Sequence, residues 1–128
     1  VNALAADDRV AQVFYPGLEK HPGHDIAKAQ QAGFGAMFSV EFAEGIDVIE
    51  LLRQLNIFTI AESLGGFESL VCTPATMTHA SMTQEAREIA GISDRLVRFS
   101  VGSLRKPKHL TRFAPLWCAI RVRSARKN

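Results

Sequence analysis

The sequence predicts a mixed α/β (α+β) domain built on one sheet. Three observations carry this: short helical and strand-like stretches alternate along the chain, two stretches alternate apolar and polar residues cleanly, and 128 residues is the length of one modest domain. Hydrophobic residues make up 47% and charged residues 22%, ordinary globular usage that excludes disorder of the whole chain. A chain of this size buries about two-thirds of its unfolded surface without help from disulfides or metal.

Taken in order, the Ala-rich start between Val1 and Val13 reads as the last part of a helix, with no N-cap residue before it. The chain is therefore expected to be a piece of a longer protein. Tyr15-Pro16-Gly17 and His21-Pro22-Gly23-His24 mark turns, because Pro fixes φ and Gly tolerates positive φ. Asp25 to Ala32 predicts a short helix ending at Gly33. From Ala36 to Phe42 the residues alternate, with Phe38, Val40 and Phe42 on one face and Met37, Ser39 and Glu41 on the other, so this is a strand with one face in the core.

Ile46, Ile49, Leu52 and Leu55 recur at helical spacing among polar residues and predict an amphipathic helix packed on the sheet. Phe58 to Ala61 is a second strand, followed by a turn at Gly65-Gly66 and a third strand around Ser69 to Cys72. Ser81 to Gln84 fits a capping box ahead of a helix through Ala90, Thr83 is an equally good N-cap, and Gly91 supplies the stop. Leu96 to Val101 alternates again, Val97, Phe99 and Val101 against Leu96, Arg98 and Ser100.

The net charge of +2 hides an asymmetry. Residues 1–94 carry 5 Lys/Arg against 13 Asp/Glu, whereas residues 95–128 carry 10 Lys/Arg and no acid. Cys72 and Cys118 are too few and too scattered for a disulfide framework, and no C-x-x-C spacing is present. Apolar runs such as Ala114 to Ile120 fall short of the roughly twenty residues that a membrane span needs. With Asp7 and Asp8 where a signal peptide would be apolar, the expected location is the cytoplasm, with no membrane partner.

Few residues carry a chemical signal of their own. His21, His24, His79 and His109 lack the spacing of a metal set, and the first two sit in turns, so no metal is expected. Cys72 reads as a buried inert thiol. Arg98 is more informative: a lone guanidinium inside a β-like stretch either reaches solvent or binds a partner anion, and Arg has the fork geometry that suits a bidentate carboxylate. Glu62-Ser63 precedes the Gly65-Gly66 turn at the end of a strand, a common place for function. The basic end invites a nucleic-acid partner, as a non-catalytic binding module would have. Its cations lack helical spacing and its aromatic-bearing stretch is short, which argues against that partner.

Several longer motifs stand in a fixed order: Tyr15 to Leu18, His21 to Ala27, Gln30 to Met37, Ala61 to Leu70, Thr76 to Ala80, and Gly91 to Ser93 followed by Leu96 to Gly102. Together they resemble the small C-terminal domain of the Cys/Met-metabolism family of pyridoxal-phosphate (PLP) enzymes. The resemblance implies the small domain of a fold-type I enzyme over residues 1–102: a mostly antiparallel sheet with helices on one face, residues 1–10 being the end of an inter-domain helix. Residues 103–128 form a divergent basic tail. Within the family, Gln30-Gln31 with Gly33 to Met37, Phe58 to Gly66 and Ala75 to Ala80 are most similar to the cystathionine γ-synthase branch, with the γ-lyase branch next.

The resemblance assigns roles as well. Arg98 would anchor the substrate α-carboxylate, and Ser63 would sit beside that carboxylate and the cofactor lysine. Glu62 would meet the distal amino group of cystathionine, which disfavours a methionine γ-lyase. The implied reaction is γ-replacement on an O-acylhomoserine by cysteine, a step of methionine biosynthesis, with γ-cleavage as the alternative. The implied partners are small amino-acid substrates, a PLP-binding large domain and a homotetramer. None of Lys20, Lys28, Lys106, Lys108 or Lys127 has the Ser-x-Thr-Lys context of the cofactor lysine, so the chain alone is expected to be inactive and to hold no catalytic residue. After Gly102 the resemblance stops: an acidic stretch and a closing helix are expected, and a basic, proline-bearing segment stands there, as a change of reading frame would produce.

Overall fold

The computed structural model describes residues 1–103. In chain order it contains α1 (Asn2–Ala5), β1 (Val10–Phe14), α2 (His24–Gln30), β2 (Met37–Phe42), α3 (Val48–Arg53), β3 (Thr59–Ile60), β4 (Leu70–Cys72), α4 (Gln84–Ile89) and β5 (Leu96–Ser100). The strands form one sheet of order β1-β2-β5-β4-β3, in which only the β3–β4 pair is parallel. The fold is thus the mixed α/β architecture with a mostly antiparallel sheet.

The register explains the core. Phe38 stands opposite Phe99, which stands opposite Val71, and Val13, Val40 and Val97 form the neighbouring row. Because side chains alternate across a strand, these rows share one face. Phe38 stacks on Phe99 at 4.9 Å between ring centroids, and Phe58 meets Phe99 edge-on at 5.3 Å. Over this face lies α3, capped at its start by the Asp47 carboxylate, which accepts the Glu50 N–H at 3.0 Å.

Three expectations are corrected. The helix end expected over residues 1–10 occupies only Asn2–Ala5, and Val10–Phe14 is a strand. The Asp7 carboxylate accepts the Arg9 N–H at 2.7 Å, a local turn that halts the helix and releases β-branched Val10 and Val13 to pair with β2. Around α3, Ile46, Leu52 and Leu55 pack on the core as expected, but Ile49 is exposed and Val48 and Leu51 are buried in its stead. Val101 is exposed as well, since β5 ends at Ser100.

The α4 helix starts at Thr83, whose hydroxyl accepts the Ala86 N–H at 3.2 Å, which decides between the two caps in favour of Thr83; α4 buries no residue. Helix packing on the inner face therefore comes from α1, through Leu4, and from α3. No helix among the described residues is long and apolar enough to cross a membrane. The basic tail beyond Ser103 lies outside the described residues, and with it the nucleic-acid reading.

Candidate functional site

The second face of the sheet is the one that carries polar chemistry. Alternation places Arg98 and Ser100 of β5 there, with Ser39 and Cys72 flanking Arg98, and Met37 and Leu70 flanking Ser100. Parallel strands cannot be joined by a tight hairpin, so the chain between β3 and β4 must cross over. The crossing runs through residues 61–69 and passes over β4 to reach β5. This is what brings Glu62 and Ser63 to Arg98.

The contacts are specific. Arg98 Nη2 donates to the Glu62 carbonyl oxygen at 3.1 Å and to the Ser63 carbonyl oxygen at 3.4 Å. Two residues further along β5, the Ser100 hydroxyl accepts the Gly65 N–H at 2.9 Å. Gly65 has φ +71°, a left-handed conformation that glycine adopts without strain. Beyond the turn, the Ser69 hydroxyl accepts the Gly102 N–H at 3.1 Å. A Cβ on Gly102 would fall within 2.3 Å of the Phe67 carbonyl oxygen and the Glu68 carbonyl carbon, so only glycine lets β5 leave the sheet beneath the crossing.

Arg98 differs from the other arginines. Among the described residues, Arg9, Arg53, Arg87 and Arg95 each pair with a carboxylate, whereas Arg98 bonds only backbone carbonyls, through one nitrogen. Its Nε and Nη1 hydrogens bond to no acceptor among the described residues. They point to opposite sides of the group, each completing a fork only with a hydrogen of Nη2, and so stand as two separate charged donors suited to an external anion.

Cys72 lies beside this group and is almost fully buried. Burial pushes its thiol above the ordinary thiol range; the positive charge of Arg98 pulls the other way and the negative charge of Glu62 adds to the rise. The sequence reading of a buried thiol agrees with that burial. His21 and His24 work in turns: His21 Nδ1 accepts the Gly23 N–H at 3.0 Å, and His24 Nδ1 lies 2.8 Å from the Pro16 carbonyl oxygen, its ring stacked on Phe34.

The site thus unites all three residues singled out in the sequence, with Arg98 at its centre. Ser100 was not singled out, although its place two residues from Arg98 puts it on the same face. The donor set fits an anionic group such as an amino-acid carboxylate. Among the described residues no lysine is joined to this set: Lys20 precedes α2, Lys28 lies on that helix, and neither bonds to Glu62, Ser63 or Arg98.

The family model "Cys/Met metabolism PLP-dependent enzyme" matches residues 1–104. A cystathionine β-lyase of Lactococcus lactis is 52% identical over 99 residues, which are 77% of this chain and 26% of that protein. An L-methionine γ-lyase of Fusobacterium nucleatum is 50% identical over 103 residues, 80% of this chain and 26% of that protein. Among solved structures, a cystathionine γ-synthase of Xanthomonas oryzae in complex with cystathionine superposes with a TM-score of 0.75 at 51% identity, covering 81% of this chain and 27% of that one. The chain therefore spans about a quarter of the length of the relatives it matches.

Proposed function

The chain belongs to the Cys/Met metabolism PLP-dependent enzyme family, and on that premise we propose that it serves as the C-terminal domain of a cystathionine γ-synthase-like enzyme. The observation that carries the reading is the Arg98 guanidinium, bonded to the Glu62 and Ser63 carbonyls through one nitrogen, with its Nε and Nη1 hydrogens bonded to no acceptor among the described residues. In the proposed reaction an O-acylhomoserine exchanges its acyloxy group for the sulfur of cysteine.

When bound, pyridoxal phosphate supplies the electron sink for such chemistry, and the lysine that holds it would come from a large domain outside residues 1–128. This chain supplies orientation. Arg98 binds the substrate α-carboxylate through its charge and its remaining N–H donors. Ser63, whose backbone is tied to Arg98, stands beside that carboxylate and the cofactor lysine. Glu62 faces the distal end of the substrate, where a carboxylate suits an amino group and disfavours the thioether of methionine. Exposed Leu64 and Phe67 on the same crossing present an apolar rim against which the large domain packs and excludes water. The parent enzyme would be a cytoplasmic homotetramer.

Three relatives of about 50% identity carry the names of three different reactions, so overall identity does not select among them. A γ-lyase is the second reading, favoured by the same Glu62, because it too handles cystathionine.

A full-length γ-synthase of the family, carrying residues 1–103 in place of its own C-terminal domain, tests the choice. Given an O-acylhomoserine and cysteine, it is expected to accumulate cystathionine. A cofactor-loaded chimera that only degrades cystathionine would turn the assignment to the lyase. The 128-residue chain mixed with pyridoxal phosphate is expected to keep no cofactor absorbance after dialysis.

A further inference from the structure

We infer that Ser100 is a positioning residue: its buried hydroxyl holds the 61–69 crossing in the place from which Arg98 presents its remaining N–H donors to a substrate carboxylate. The inference rests on the carboxylate-anchoring role of Arg98 and extends it to a residue that touches neither substrate nor cofactor.

Ser100 is 3% exposed, although it lies on the polar face of β5. What covers it is the crossing itself, whose Gly65 N–H it accepts at 2.9 Å across 35 positions of sequence. Arg98, two residues earlier on the same face, holds Glu62 and Ser63 by their carbonyls at 3.1 and 3.4 Å. One short strand therefore grips the crossing at two places, by an acceptor at its end and a donor at its middle.

The two grips divide the crossing between them. Arg98 holds its start, by Glu62 at ordinary length and by Ser63 near the outer limit of a hydrogen bond, whereas Ser100 alone holds Gly65, at ordinary length. If the hydroxyl is removed, the Gly65 N–H loses its acceptor, the tip lifts, and the carbonyls that orient the guanidinium move with it. A freely turning Arg98 keeps its charge but must be ordered by each incoming carboxylate, which weakens binding. A serine serving only to fill space would give no such effect, because alanine fills nearly the same volume.

The test uses the whole 128-residue chain, with acetate as the probe, read by heteronuclear NMR at the Arg98 Nε–H and the Gly65 backbone N–H. In the unsubstituted chain acetate is expected to shift the Arg98 signal saturably. Ser100→Ala should raise the half-saturation concentration by about threefold to tenfold, the span of one net hydrogen bond, and accelerate exchange of the Gly65 amide. Ser100→Thr, which keeps the oxygen, should bind acetate as the unsubstituted chain does.

Unchanged half-saturation in Ser100→Ala overturns the inference, and so does a Ser100→Thr chain that melts normally yet binds as weakly as the alanine variant. Should the alanine variant not fold, Ser100→Cys, with a poor acceptor of similar size, takes its place with the same two readings. Absence of any acetate response in the unsubstituted chain refutes the Arg98 assignment itself and the inference with it.

Discussion

At the scale of single residues, environment sets two titrations with opposite consequences. The Arg9 side chain bonded to the Asp7 carboxylate holds that group below the usual carboxylate range, with the Arg9 N–H and charge adding to the effect and burial opposing it. A carboxyl whose pKa is depressed on folding contributes stability above its unfolded pKa and loses it as pH falls through the folded value. Asp7→Asn is therefore expected to flatten the fall of stability with acidification below about pH 4, as measured by denaturant unfolding at a series of pH values. For Cys72 the sign is reversed. Burial raises the thiol, so the folded state keeps its proton while the unfolded state loses it, and stability falls as pH rises past the ordinary thiol value. At pH 8 the same burial should make iodoacetamide modify Cys72 at least tenfold more slowly in the native chain than in urea, as resolved by peptide mass spectrometry.

At the scale of elements, the sheet and the crossing respond to different substitutions. Leu51 is 1% exposed in the stripe that α3 lays on the sheet, and Leu51→Ala is expected to cost about 2 to 5 kcal/mol of unfolding free energy. Gly102→Ala acts elsewhere, because its methyl group must displace the backbone of Phe67 and Glu68. The result expected is a local loss: faster exchange of the Gly65 amide and weaker acetate binding at Arg98, with the amides of β2 still protected. Loss of protection throughout the sheet would contradict that account.

The same contrast explains what the sequence disclosed. The β2 and β5 strands were legible because strict alternation follows from one wet and one dry face, as Phe38, Val40, Val97 and Phe99 record. The β1 strand was hidden because Val10-Ala11-Gln12-Val13 follows alanines and carries a bulge, so neither period is clean. Arg98 was legible as an oddity within a strand. Its union with Glu62 and Ser63 came from the resemblance, since the parallel β3–β4 pair that carries the crossing leaves no mark in local periodicity.

At the scale of the molecule, the near-neutral charge divides into an acidic part up to residue 94 and a basic remainder, and of the ten cations in that remainder only Arg95 and Arg98 fall among the described residues. The chain spans about a quarter of its relatives, and on its polar face no lysine among the described residues bonds to Arg98, Glu62 or Ser63. On the proposed function these features make the chain one wall of an active site. The most direct test of that claim is the steady-state turnover of an O-acylhomoserine and cysteine by the full-length chimera carrying residues 1–103, with Arg98 and with Arg98→Ala. Loss of a charged contact to the substrate carboxylate predicts a fall in kcat/KM of about 100-fold or more, with the cofactor absorbance retained. Equal turnover by the two proteins would contradict the account.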